Sequence, residues 1–155
     1  MQQKTFPDHL DFFRVKCKEH NLKVTPQRIA IYQELVKSKD HPSAEELFHT
    51  VGKQFPHISF DTVYRTLLTF SKIGIVTIVE GYRNRRRFDP NMDKHHHAHC
   101  IKCGKILDFT SIAFDNLEVP EAIQDEFIII AKKVVINGIC KECSKKTPNN
   151  PNRKE

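Results

Sequence analysis

The chain has 155 residues and a formal net charge of +6, long enough for one domain or two small ones around a real core. Its composition, 39% hydrophobic and 28% charged, is that of an ordinary soluble globular protein. No apolar run approaches the roughly 20 residues that span a bilayer, and MQQKTFPDHL lacks the apolar centre of a signal peptide, so a cytoplasmic protein with no membrane partner is expected. The basic balance suits a polyanionic partner.

In chain order, Pro7 to about His20 places Leu10, Phe13 and Cys17 on one helical face; the bland reading of Cys17 is a buried or half-buried helical thiol. Thr25-Pro26 predicts a helix start, with threonine as N-cap and proline at the first helical position, followed by a core stripe of Ile29, Tyr32, Leu35 and Val36. Ser43 and Glu46 form a capping box for a helix to about Lys53 that buries Leu47, Phe48 and Val51. Ser59 caps a further helix, with Phe60, Val63, Leu67, Phe70 and Ile73 as its buried stripe and Gly74 as its stop. The opposite face carries Asp61, Thr62, Tyr64, Arg65 and Thr69.

Two strands are predicted next, Ile75–Glu80 and about Asn84–Phe88, turning at Gly81-Tyr82 and carrying Arg83, Arg85, Arg86 and Arg87. Helices followed by a basic hairpin give the order of a winged helix. In that arrangement the second helix of the pair, here Ser59–Ile73, enters the major groove. Thr62, Tyr64 and Arg65 are then the candidate DNA contacts, arginine suiting guanine edges or phosphate and the arginine-rich hairpin suiting phosphate. A solvated amphipathic helix beside a charged hairpin would look the same.

Composition changes after Pro90, which sets the expected boundary between residues 1–90 and 91–146, with 147–155 (TPNNPNRKE) a disordered polar tail. Four of the nine histidines fall at His95, His96, His97 and His99, and Cys100 with Cys103 follows at once. In an extended strand His95, His97 and His99 point one way, His96 and Cys100 the other. A turn at Cys103-Gly104, a strand over Lys105–Phe109, a short helix over Pro120–Glu126, a buried strand over Phe127–Ile136 and a turn at Asn137-Gly138 complete the chain.

Two metal chemistries are implied. Cys100, Cys103, Cys140 and Cys143 form a four-thiolate set suited to structural zinc, and with no export signal C-x-x-C pairs favour metal over disulfide. A thioredoxin-like dithiol would need a βαβ context that is not evident. The second cluster is His95, His97, Asp89 and Asp108, with His41 a remote candidate, a donor set suited to iron, manganese or zinc. His96 and His99 read as surface residues or minor ligands. A metallohydrolase could also use His-x-His, but HHHAHC lacks the longer motifs such enzymes carry.

The segments LKVTPQRIAIYQEL, HPSAEELF, ISFDTVYRTLLTFSKIGIV, RRFDPNMDKHHHAHCIKCGKILDF and GICKECSKK together resemble the Fur family of metal-dependent bacterial repressors, over most of residues 22 to 146. The resemblance implies an α+β protein: a winged-helix DNA-binding domain, then an α/β dimerisation domain, acting as a homodimer on double-stranded operator DNA. It also implies a structural zinc and a regulatory Fe(II) or Mn(II) held by His41, Asp89, His95, His97 and Asp108. Aspartate at 89 and 108, where the iron-uptake branch typically has glutamate, together with no histidine in AKKVVINGIC, is closer to the peroxide-sensing branch. That branch implies iron-catalysed oxidation of His41 or His95 to 2-oxo-histidine, loss of metal and release of the operator. An iron-uptake or other metal-homeostasis repressor is the alternative.

Overall fold

In a computed structural model, residues 6–38, 40–80 and 85–146 are described. The chain divides into two compact units, one ending at Met92 and the other beginning at Asp93.

The first unit holds helices α1 (Phe6–Glu19), α2 (Pro26–Lys37), α3 (Ala44–Gly52) and α4 (Phe60–Lys72), then strands β1 (Thr77–Glu80) and β2 (Arg86–Asp89). The helix starts are built as the sequence predicts. Thr25 caps α2 by accepting from the Arg28 amide, with Pro26 opening the helix. Ser43 and Glu46 close both arms of the capping box on α3, and Ser59 caps α4 by accepting from the Thr62 amide. Gly74, at φ +71°, ends the α4 region in a backbone state that glycine adopts without steric cost.

Its core joins Phe13, Tyr32, Leu35, Leu47, Val63, Leu67, Phe70 and Phe88 with Cys17, which is fully buried. Phe13 stacks on Tyr32 and meets Phe70 edge-on. Phe60 leaves the predicted stripe: it is 40% exposed, resting against Phe48 and Tyr64, and Thr66 takes an inward place instead. Phe60 is the first residue of α4, at the open end of the helix, where only its flank is covered; Val63, one turn further in, is fully buried. β1 and β2 pair antiparallel, Thr77 opposite Asp89. The hairpin strands are shorter than predicted, and the turn at Gly81-Tyr82 with Arg83 and Asn84 lies outside the described residues.

The second unit is a three-stranded sheet in the order β4-β3-β5, with β3 (His96–Cys100) central, β4 (Ile106–Phe109) antiparallel to it and β5 (Val135–Gly138) parallel. Short helices α5 (Ile112–Asp115), α6 (Glu121–Gln124) and α7 (Lys141–Lys145) complete it. The predicted buried strand over 127–136 is corrected: pairing begins only at Val135, and Ile128 and Ile130 are 95% and 94% exposed. These β-branched residues are apolar with nothing inside their own unit to cover them. Asn137 and Gly138 lie within β5 rather than turning the chain. Among the described residues of this unit, only Cys100 and Ile106 are buried as hydrophobics. So small an apolar core calls for other staples, metal ions or a partner chain. The expected tail, 147–155, lies outside the described residues.

Candidate functional site

The thiolate cluster forms within the second unit. Gly104, at φ +75°, lets the chain reverse after Cys103, its amide bonded to the Cys100 carbonyl. Cys140 caps α7, its sulfur accepting from the Cys143 amide. The Cys140 amide in turn donates to Cys100 Sγ at 3.3 Å, and Cys103 and Cys140 sulfurs are 3.8 Å apart. All four sulfurs lie within 4.8 Å of one another, the scale of one tetrahedral ion's ligands. Amide hydrogens from Cys140 and then Cys103 lower the Cys100 thiol to about 6. Hydrogen bonding with Cys103 and Cys140 pushes Cys143 up to about 12. The donor set fits a metal that replaces the shared protons.

In the same unit, β3 alternates as the parity argument requires. His95 and His97 meet on one face, their Nε2 atoms 3.0 Å apart. The His95 Nδ1–H donates to the Asp93 carbonyl at 2.7 Å, an acceptor only, so Nε2 presents its lone pair. Asp108 joins them from β4, with Oδ1 3.4 Å from His97 Nε2 and 4.0 Å from His95 Nε2. Two imidazole nitrogens and a carboxylate oxygen converging in this way fit a divalent cation of the first transition row. His99 continues the face, its ring 6.0 Å from that of His97.

His96 faces the other way and is not a surface residue. It is fully buried, its Nδ1 accepting from the Val134 amide at 3.2 Å and its Nε2 3.3 Å from Asp115 Oδ1. Phe109 and Phe114 flank the ring, and Lys94 also reaches Asp115. His96 thus anchors β3 to its neighbours.

In the first unit, His41 and Asp89 come together, Nε2 to Oδ2 at 3.7 Å, both buried. The Asn91 amide occupies the other carboxylate oxygen at 2.8 Å, which fixes the rotamer. His41 has a left-handed backbone, φ +49°, an unusual state for a residue that precedes proline. Sequence reasoning reached the residue but not this turn.

On α4, Arg65 is exposed and pairs with Asp61, one helical turn back. Thr62 shares a hydrogen bond with the Ser59 cap hydroxyl. Tyr64 is half-buried, stacked on Phe60, and its hydroxyl accepts from Arg86 at 2.7 Å. Arg87 departs from the expected phosphate-facing hairpin: its side chain is 18% exposed and bound to Glu46 at 2.6 Å.

The model of the ferric uptake regulator family matches residues 19–137. The chain belongs to that family. Curated relatives include the peroxide-responsive repressor PerR of Staphylococcus epidermidis, 37% identical over 126 residues, covering 81% of this chain and 84% of the relative. PerR of Staphylococcus aureus is 36% identical over 129 residues, covering 83% and 87%. Among solved structures, the ferric uptake regulator of Helicobacter pylori superposes with a TM-score of 0.74 at 27% identity, covering 93% of this chain and 97% of that one. The peroxide stress regulator of Campylobacter jejuni does so at 0.63 and 28%, covering 86% and 98%.

The fold is therefore α+β, with an N-terminal DNA-binding domain and a C-terminal dimerisation domain. Members of this family are dimeric DNA-binding transcriptional regulators. The chain is a metal-dependent repressor rather than an enzyme, which removes the metallohydrolase reading. No helix among the described residues is long and apolar enough to cross a membrane.

Proposed function

We propose that the chain is a cytoplasmic homodimeric repressor that senses hydrogen peroxide through oxidation of its own ligand histidines. The observation that carries this reading is the convergence of His95 and His97 Nε2 on Asp108, supported by the likeness to PerR proteins. DNA binding is assigned to residues 1–90, through Thr62, Tyr64 and Arg65. Metal binding and dimerisation are assigned to 91–146.

Zinc at Cys100, Cys103, Cys140 and Cys143 has no open coordination position and serves folding. Fe(II) or Mn(II) is assigned to His41, Asp89, His95, His97 and Asp108. Three imidazoles and two carboxylates leave one of six positions for a small oxidant. His41 and Asp89 precede the expected boundary at Pro90 or adjoin it, while the other three follow it. One ion shared by all five would couple the two domains, and coupling of this kind is worth about 1–3 kcal/mol in other systems.

Bound Fe(II) supplies electron transfer to peroxide, which Mn(II) does poorly. The residues would supply the target: with the ion bound, the ring carbons of His41 and His95 would be the groups oxidised. In net terms one peroxide oxygen is added to the ring as 2-oxo-histidine and the other leaves as water. The altered ring no longer coordinates, and the repressor releases its operator.

The test is zinc-replete protein loaded with Fe(II) or Mn(II), given a brief low dose of peroxide, then analysed by peptide mass spectrometry and duplex binding. One added oxygen on His41 or His95 in the iron sample alone, with loss of binding, is expected. Unmodified histidines with binding intact would assign the chain to repressors that sense metal supply, the iron-uptake type included.

A further inference from the structure

Strand β2 carries four consecutive side chains that reach four different places. Arg86 and Phe88 fall on one face and Arg87 and Asp89 on the other, by the period-two alternation of a strand. Phe88 is fully buried in the core, and its amide donates to the Pro42 carbonyl at 3.1 Å. Arg86 Nη1 donates to the Tyr64 hydroxyl on α4. Arg87 Nη1 donates to Glu46 Oε2 at 2.6 Å and lies 3.5 Å from the His41 carbonyl oxygen. Asp89 faces the His41 imidazole.

His41 is thereby held at its carbonyl by Arg87, at the following carbonyl by Phe88 and at its ring by Asp89. A non-glycine residue in the left-handed region persists only where its surroundings over-determine it. A histidine ahead of proline would otherwise relax to extended backbone, which would swing its imidazole elsewhere. Glu46 ties the same arrangement to α3, because the oxygen that receives Arg87 also accepts the Ser43 amide of the capping box at 2.7 Å.

We propose that Arg87 is a positioning residue for the regulatory metal: its guanidinium fixes the left-handed turn at His41 against β2, so that His41 and Asp89 meet the ion already oriented. This rests on the assignment of His41 and Asp89 as ligands under the proposed function. It replaces the phosphate role that the arginine-rich hairpin suggests for this residue. Lysine would be a poor substitute, since one planar guanidinium nitrogen here serves a carboxylate and a carbonyl at fixed directions. Removing partners that orient ligands costs about 10–100-fold in metal affinity elsewhere.

The experiment uses full-length, zinc-replete protein: wild type, Arg87→Gln, Glu46→Gln and the double variant. Mn(II) affinity is measured by titration, and duplex affinity with and without saturating Mn(II). For Arg87→Gln, Mn(II) binding is expected to weaken about 10–100-fold. Duplex affinity at saturating Mn(II) and the melting temperature of the metal-free protein should stay near wild type. Glutamine at 46 still accepts the capping-box hydrogen bond but loses the charge, so Glu46→Gln should weaken Mn(II) binding in the same direction. It should add little in the Arg87→Gln background, because the two residues act as one unit.

Mn(II) affinity within about twofold of wild type in Arg87→Gln would overturn the proposal. So would a loss of duplex binding that persists at saturating Mn(II), which would return Arg87 to a phosphate contact. If Arg87→Gln does not fold, Glu46→Gln decides, and unchanged Mn(II) affinity there overturns the proposal. A wild-type protein whose duplex binding ignores Mn(II) would instead sink the ligand assignment itself, and that outcome is visible without any variant.

Discussion

Asp108 stands directly opposite His97 in the antiparallel ladder of β3 and β4, with its Oδ1 3.4 Å from the imidazole Nε2. Cross-strand neighbours on one face are the closest side-chain pairs a sheet offers, so the ladder sets this distance rather than a mobile loop. Asp108→Ala should lower Mn(II) affinity by at least about 10-fold, the lower end of what partner loss costs around a metal. Zinc should stay at one equivalent per chain, because the sulfurs lie on other elements. Metal analysis after gel filtration, beside a Mn(II) titration, checks both halves. Loss of zinc as well would mean that the variant has lost the sheet.

Under the proposed function, zinc on the thiolate cluster is the staple of a unit whose described residues bury only Cys100 and Ile106 as hydrophobics. Cys143→Ser should remove zinc and loosen 93–146, while the first unit keeps its own melting transition. Hydrogen bonding with Cys103 and Cys140 pushes the Cys143 thiol up to about 12, so a metal bound there as thiolate displaces its proton. Zinc uptake by apo-protein at neutral pH should therefore release protons, and acidification should drive zinc out. A pH-indicator titration reads the first, and a chromogenic zinc dye the second. Uptake without proton release would exclude Cys143 as a thiolate ligand.

Ile128 and Ile130 are almost wholly exposed within the chain that carries them. A dimerisation domain needs such a surface, since exposed apolar patches mark contacts. Ile128→Glu should shift the protein to monomer in analytical ultracentrifugation without moving the melting of the first unit. A dimer that survives would place the interface elsewhere.

Much of the first unit was legible because its signals are local. Thr25, Ser43 and Ser59 are caps whose hydroxyls act within three residues, and the strand parity of His95 to Cys100 needs no knowledge of neighbours. Phe127–Ile136 misled because a run of β-branched residues reads the same whether its own chain or a second one covers it. Arg87 was equally opaque: its partner Glu46 is distant in sequence, and an arginine run gives no sign of which member turns inward. The turn at His41 escaped for the same reason, since three contacts from β2 impose it. The short helices α5 and α7 are too brief to show periodicity.

Arg65 is exposed on α4 and pairs with Asp61, and an exposed pair of this kind contributes little to folding. Arg65→Ala should leave the melting temperature unchanged and weaken duplex binding. If the guanidinium reads a base edge, the loss should be about 1–3 kcal/mol and depend on sequence; if it meets phosphate, the salt slope should fall by about one. Fluorescence anisotropy at several salt concentrations, on specific and scrambled duplexes, separates these. Unchanged binding to both would take Arg65 out of the interface.

Tyr32 is fully buried between Phe13 and Phe70, and its hydroxyl finds no hydrogen-bond partner among the described residues. Burial raises its pKa from 10.0 to about 12. The folded form therefore holds the phenolic proton to higher pH than the unfolded chain does. Below pH 10 both states are protonated and the group adds no pH dependence. Between about 10 and about 12 the unfolded chain ionises first, so stability falls as pH rises. Tyr32→Phe removes both the unsatisfied hydroxyl and this linkage. At pH 7 it should be neutral or stabilising by up to about 1 kcal/mol, because an unpaired buried hydroxyl costs more than its removal. The two proteins differ in no other ionisable group, so the wild-type loss of melting temperature from pH 9 to pH 11 should exceed that of the variant. Parallel thermal melts by circular dichroism at those pH values decide it. Equal losses, or a variant clearly less stable at pH 7, would show that the hydroxyl has a partner after all.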